Sequence, residues 1–191
     1  YAKLKIPTWT LQLPLEEKTV AEELKGRGYA TALFGKWHLG GAAFYPEHQG
    51  FDVNVGGTDR GQPGSYFPPY GIANLKDERP GEFLSDRLTR DAISFIEANK
   101  DRPFYIYFPH YGVHTPIAGK PEVIEKYKKK LAAGTSNQPN PVYAAPPESN
   151  HDSVGAAINP NRFSSRVLPS GQKARAAASE ARVISIGHST E

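Results

Sequence analysis

Phe104-Tyr105-Ile106-Tyr107-Phe108 is a continuous apolar and aromatic run bracketed by Pro103 and Pro109. No polar residue alternates with these side chains. A strand made from them needs cover on both faces, which is the condition of a strand inside a parallel sheet. The flanking prolines limit its length, because neither can donate to a ladder. The cover has an obvious source. From Phe83 to Asn99, Leu84, Leu88, Ala92, Phe95 and Ile96 recur at helical spacing on one face. Asp86 with Arg90, and Arg87 with Asp91, are predicted as i,i+4 pairs on the wet side, worth about 0.3–0.5 kcal/mol each.

A second apolar run, Tyr29 to Phe34, reads as another buried strand. It follows a short helix in which Thr19 and Glu22 have capping-box spacing, Val20 and Leu24 supply an apolar stripe, and Gly26 and Gly28 end the element. A further helix is predicted over 121–131, with Pro121 in its first turn and Val123, Ile124, Tyr127 and Leu131 facing inward. Helix, strand, long loop, helix, strand, helix is an α/β order. Both strands are expected to run parallel in one sheet, with helices on its faces.

The long loop covers 40–82. It is rich in glycine and proline, yet Phe44, Tyr45, Phe51, Tyr66, Phe67 and Tyr70 punctuate it, so an ordered, packed excursion is expected. Past residue 145 the pattern changes. Pro146 and Pro147 are predicted to break the helix that starts near Val142. Beyond them lie loop-forming residues, and then a nearly all-alanine stretch from Lys173 to Arg182 with little to bury. Residues 1–145 are therefore expected to form one partial domain, and 146–191 a weakly packed or disordered tail.

Composition narrows the function classes. The 191 residues and 38% hydrophobic content suit one domain and a tail. No apolar run reaches the ~20 residues of a membrane span. With no cysteine, disulfides and thiolate chemistry are excluded within the chain. With no methionine, a processed product or a piece of a longer chain is expected, so nothing follows about export. The net charge of +3 comes partly from Lys126, Lys128, Lys129 and Lys130 and partly from basic residues near the end. Neither group is interleaved with aromatic residues for base stacking, so a solvated face is expected rather than nucleic-acid binding.

Ligands of open α/β sheets bind beyond the carboxyl ends of the strands. Lys36 and His38 lie just past the first run, in "FGKWHLGG". His110 and His114 lie just past the second, in "PHYGVHTP". Neighbouring strands would bring them to one edge. A lysine supplies a point charge and an imidazole can bind oxygen or move a proton, so the set suits a tetrahedral anion. His48 reads as a loop residue, and His151 and His188 fall in the expected tail. No H-E-x-x-H spacing supports a zinc site. The residues alone do not name the anion.

"TVAEELKGRGYATALFGKWHLGG", "YPEHQGFDVNVGG" and "DRPFYIYFPHYGVHTPI" together resemble the type I sulfatases, the arylsulfatase-like branch of the alkaline-phosphatase-like superfamily. The resemblance runs from about Tyr1 to Tyr143. It implies a large, mostly parallel mixed sheet between helices, and hydrolysis of a sulfate ester to alcohol and sulfate. It implies a formylglycine nucleophile, made from the Cys or Ser of a C/S-x-P/A-x-R motif, and Ca2+ held by an Asp pair and a later Asp-Asn pair. Carried over by motif, Lys36 matches the lysine that contacts the hydrate and the sulfate. His38 matches the base that restores the aldehyde, and His114 the histidine that binds sulfate and helps protonate the leaving oxygen. Arg60 and His110 are expected to bind substrate. The implied partner is a sulfated small molecule or a sulfated glycan, and a secreted or periplasmic parent is expected.

The sequence departs from the pattern as well. It contains neither the nucleophile motif nor the aspartate pairs. Ser164-Ser165-Arg166 lacks the motif's proline and follows "HTP", whereas the family motif precedes "GKWHLG". The expectation is thus a truncated sulfatase-domain fragment, inactive alone, with no metal ligands of its own and an end that a shifted reading frame would explain. The alternatives are a non-catalytic binder of sulfated glycans and a non-functional remnant.

Overall fold

The computed structural model describes residues 10–158 and the strand segment Arg182–Ser185. Its centre is a four-stranded parallel sheet of β1 (Ala30–Phe34), β2 (Val53–Val55), β3 (Phe104–Tyr107) and β4 (Arg182–Ser185), in the order β2-β1-β3-β4. The two strands expected from the apolar runs are neighbours, with Ala30 opposite Phe104 and Ala32 opposite Ile106. Two-residue periodicity sorts their side chains onto two covered faces. Ala30, Ala32, Phe34, Phe104, Ile106 and Phe108 enter one core with Leu84, Leu88 and Ala92 of α2 (Leu84–Ala98). Leu33 and Tyr105 enter a second core with Ala21 of α1 (Val20–Lys25), Trp37 and Phe51. Side chains such as Phe34, Phe104 and Leu88, each 1% exposed, contribute about 1.5–3 kcal/mol apiece.

The start of α1 is the predicted capping box. The Glu22 amide donates to Thr19 Oγ1 at 3.1 Å, and the Thr19 amide donates to the Glu22 carboxylate at 2.7 Å. Gly26 caps the other end. The long loop is ordered and packed as expected, with Phe51, Tyr66 and Tyr70 buried. It also contains β2, which sequence periodicity did not single out. Three residues are too few to show a period, and β2 is held by pairing of Ala32 with Val53 and Phe34 with Val55.

Three expectations are corrected. First, α4 (Pro141–Ile158) runs through Pro146 and Pro147 without a break. The Val142 and Tyr143 amides donate to Asn140 Oδ1, and Ala145, Ser149, Asn150, Ser153 and Ala156 are buried as the helix packs against α2 and α3 (Pro121–Ala132). That packing offsets the helical hydrogen bonds the prolines cannot donate. The helix therefore crosses the expected boundary at 145/146, while the remaining expectations for 159–181 and 186–191, including Ser164–Arg166 and His188, lie outside the described residues. Second, Arg87 is not on a wet face. Its side chain is 6% exposed and pairs with Glu78 at 2.9 Å and with Asp91, because the end of the long loop folds back over α2. Arg90 pairs with Glu82 and Glu78, and Asp86 turns instead to Lys120 at 2.7 Å. Third, α3 buries no residue fully: Val123, Ile124 and Tyr127 are half-buried and Leu131 is exposed.

Candidate active site

Past the end of β1, Gly35 has φ +129°, and a Cβ there would stand 1.9 Å from the Pro109 carbonyl oxygen. Only glycine permits that approach. It lets the Gly35 amide donate to the Val55 carbonyl and the Lys36 amide to the Pro109 carbonyl, both at 2.9 Å. The end of β1 is thereby laced to the ends of β2 and β3. Lys36 is buried at 9% exposure. Trp37 is drawn into the second core, where its indole N–H donates to the Phe44 carbonyl at 2.9 Å and its ring meets Phe51 edge-on. His38 follows at φ +58°, an uncommon conformation for a non-glycine residue. It is exposed; its amide donates to the Thr58 carbonyl at 2.9 Å, and its imidazole lies so close to Gly61 that a Cβ there would be 2.5 Å from Nδ1.

The segment after β3 is pinned by two phenols. Tyr111 donates to the Gly56 carbonyl at 2.6 Å, and Tyr66 donates to the carbonyls of Tyr111 and His114 at 2.7 and 2.9 Å. Burial pushes both tyrosines well above the ordinary tyrosine value, so they stay neutral donors. The His114 amide donates to the Tyr111 carbonyl at 2.9 Å, which closes the turn. Asn150 of α4 donates to the Gly112 carbonyl at 3.1 Å and accepts from Ser85 Oγ of α2 at 3.0 Å. His110 is buried against the Phe108 ring, with centroids 4.5 Å apart, and His114 is half-buried beside Thr115.

Lys36, His38, His110 and His114 thus sit on adjacent strand ends at one edge of the sheet. Arg60 lies in the 58–61 segment, whose Gly61 packs on the His38 ring; it is exposed, and its amide donates to Thr58 Oγ1 at 3.2 Å. His48 is exposed in a short 3-10 turn, and His151 is exposed on α4. Residue reasoning missed Tyr66, Tyr111 and Asn150. Tyr111 was legible only as an aromatic beside His110, and nothing local marks Tyr66 or Asn150 as supports. Among the described residues no group of three or more His, Cys, Asp or Glu is placed to hold a metal ion. They do not by themselves form a calcium cage. Lys36, His38, His110 and His114 follow β1 and β3 and Arg60 lies in the 58–61 segment; lysine, arginine and imidazole are the groups an anionic ligand would need.

A sequence model of the family described as Sulfatase matches residues 4–167. Human Arylsulfatase A is 34% identical over 145 residues, covering 61% of this chain and 28% of its own length. Mouse Arylsulfatase G is 28% identical over 155 residues, covering 62% of this chain and 30% of its own. The chain thus spans under a third of the length of these relatives. The crystal structure of Ps i-CgsB superposes with a TM-score of 0.59 at 22% identity, over 83% of this chain and 39% of that one, and shares its fold. Another structure of that protein holds k-i-k-neocarrahexaose, with the same TM-score of 0.59.

Proposed function

This chain belongs to the sulfatase family, and from that premise we propose that its strand-end edge is the sulfate-receiving wall of a sulfate ester hydrolase. In this reading Lys36 opposes charge on the sulfuryl oxygens. His38 would take or give a proton at the nucleophile that carries the sulfate, and His114 would bind sulfate and protonate the leaving oxygen. Arg60 and His110 complete substrate binding. The sulfatase family generally uses Ca2+ and formylglycine; the sequence has no cysteine and no C/S-x-P/A-x-R motif from which to make the latter. The isolated chain is therefore expected to bind sulfate without turning it over. The reading rests above all on one observation: the Lys36 amide bonds the Pro109 carbonyl at 2.9 Å, which joins the "GKWH" and "PHYGVH" segments at one edge.

The test is calorimetric titration of the chain with inorganic sulfate, beside a chromogenic aryl sulfate assay with added calcium. Binding should weaken about tenfold in Lys36→Ala, the equivalent of about 1.4 kcal/mol, and should fall with added salt. Equal sulfate affinity in wild type and variant would sink the assignment of Lys36. Aryl alcohol released by the chain alone would sink the expectation that it does not turn over.

A further inference from the structure

Beside the anion edge lies a cavity of about 340 Å³, to which the sulfate reading contributes Arg60 alone. Thr58, Asp59 and Arg60 form one wall, Ile72, Ala73 and Leu75 another, with Pro69, Gly71 and Asp77 at its margins. Its size is at the lower end for small-ligand pockets. The 58–61 segment is shared. It holds the His38 amide and packs on the His38 ring, and it also lines the cavity. A ligand group attached to an anion at His38 can reach this open cavity along the shared segment.

The cavity is built in advance of any ligand. Asn74 Nδ2 donates to the Gly57 carbonyl at 3.2 Å and ties the 72–75 turn to the 57–58 wall. The Tyr70 amide donates to Asp77 Oδ1 at 3.0 Å, and Tyr70 Oη donates to the Glu82 carbonyl at 2.9 Å. Asp59 is steadied by Tyr45, whose hydroxyl donates to Oδ1 at 2.9 Å. Both carboxylates keep an oxygen that these bonds do not use. Ile72 and Leu75 are 5% and 6% exposed and give the cavity a fixed apolar surface.

Resting on the sulfate reading, we infer that this cavity is a subsite for an unsulfated sugar ring linked to the sulfated one. A sugar ring has an apolar C–H face for Ile72 and Leu75 and hydroxyls for Asp59, Asp77 and Arg60. An aromatic or steroidal leaving group would offer no hydrogen-bond partner to the exposed charges of Asp59, Arg60 and Asp77 while partly desolvating them, which is costly. A second sulfate on that ring would meet two carboxylates against one guanidinium. The subsite therefore selects a glycan sulfated on one ring over the same glycan sulfated on both.

The test uses the whole chain with five probes: inorganic sulfate, galactose 6-sulfate, lactose, lactose sulfated on its galactose ring only, and lactose sulfated on both rings. Calorimetry gives affinities, and methyl NMR follows Ile72 and Leu75. The singly sulfated lactose is expected to bind at least about tenfold more tightly than galactose 6-sulfate, and more tightly than the doubly sulfated form. Lactose alone should shift the Ile72 and Leu75 methyls. In the Asp59→Asn/Asp77→Asn double variant that advantage should vanish while inorganic sulfate binds as before, since asparagine keeps the acceptor oxygens used by Tyr45 and Tyr70. Equal affinity for the two singly sulfated sugars, unmoved methyls with lactose, or an advantage that survives in the double variant would each overturn the subsite. Loss of inorganic sulfate binding in wild type would instead overturn the anion edge, and lactose would still report on the cavity.

Discussion

Asp52 shows how one side chain can close the gap between two parallel strands. Its Oδ2 accepts the Thr31 amide at 3.0 Å and the Thr31 hydroxyl at 3.1 Å, while Lys25 approaches Oδ1 at 2.8 Å. Burial opposes its charge, but the hydrogen bonds from Lys25 and Thr31 outweigh that and hold its carboxyl below the usual carboxylate range. A carboxyl whose folded value is depressed stabilises the fold above its unfolded value, about 3.9, and that stabilisation is lost as pH falls through the folded value. Asp52→Asn is therefore expected to lower the urea midpoint at neutral pH. The gap between variant and wild type should close as pH drops below about 4. A gap that stays constant down to acid pH would show that the charge contributes nothing. The position of Lys36, His38, His110 and His114 past the strand ends was legible at this scale, because each follows an apolar run. Tyr66 and Asn150 were not: an aromatic in a loop and an amide in a helix declare no partner until the chain is folded.

Among the elements, α4 departs furthest from local preference. A proline inside a helix costs about 3 kcal/mol, through a lost hydrogen bond and a ring clash with the preceding turn. Pro146 is buried and lies 3.6 Å from a Cβ placed at Gly119, so it contributes packing. Pro147 is exposed and contributes little. Pro147→Ala is thus expected to raise stability by about 1–3 kcal/mol in urea denaturation, with no change in far-ultraviolet helix content beyond the repaired turn. A destabilised variant would mean that the proline ring itself is needed where it stands. The capping box of α1 lies at the other extreme. Both its residues and their spacing were readable, because the interaction spans only three positions and needs no tertiary partner.

In the whole molecule, stability is distributed unevenly. β1 and the first three residues of β3 are buried, whereas α3 buries no residue fully and is held by half-buried side chains. Amides of Ala32, Leu33, Phe104 and Ile106 are expected to exchange with deuterium only through global opening, and those of α3 through cheaper local opening, by orders of magnitude in rate. Equal protection in α3 and β3 would show that α3 is locked by contacts other than its apolar face. The sequence by itself determined the α/β class and the two central strands, and put Lys36, His38, His110 and His114 past the strands' carboxyl ends. Those follow from hydrophobic period and from strand polarity, which are local. Tertiary structure alone decided that Pro146 and Pro147 stay helical, that Arg87 is buried under Glu78, that Val53–Val55 is a strand, and that a cavity opens beside Arg60. Each of these depends on partners outside the residue's own element, and the free energy of such contacts exceeds the local preference that sequence patterns record.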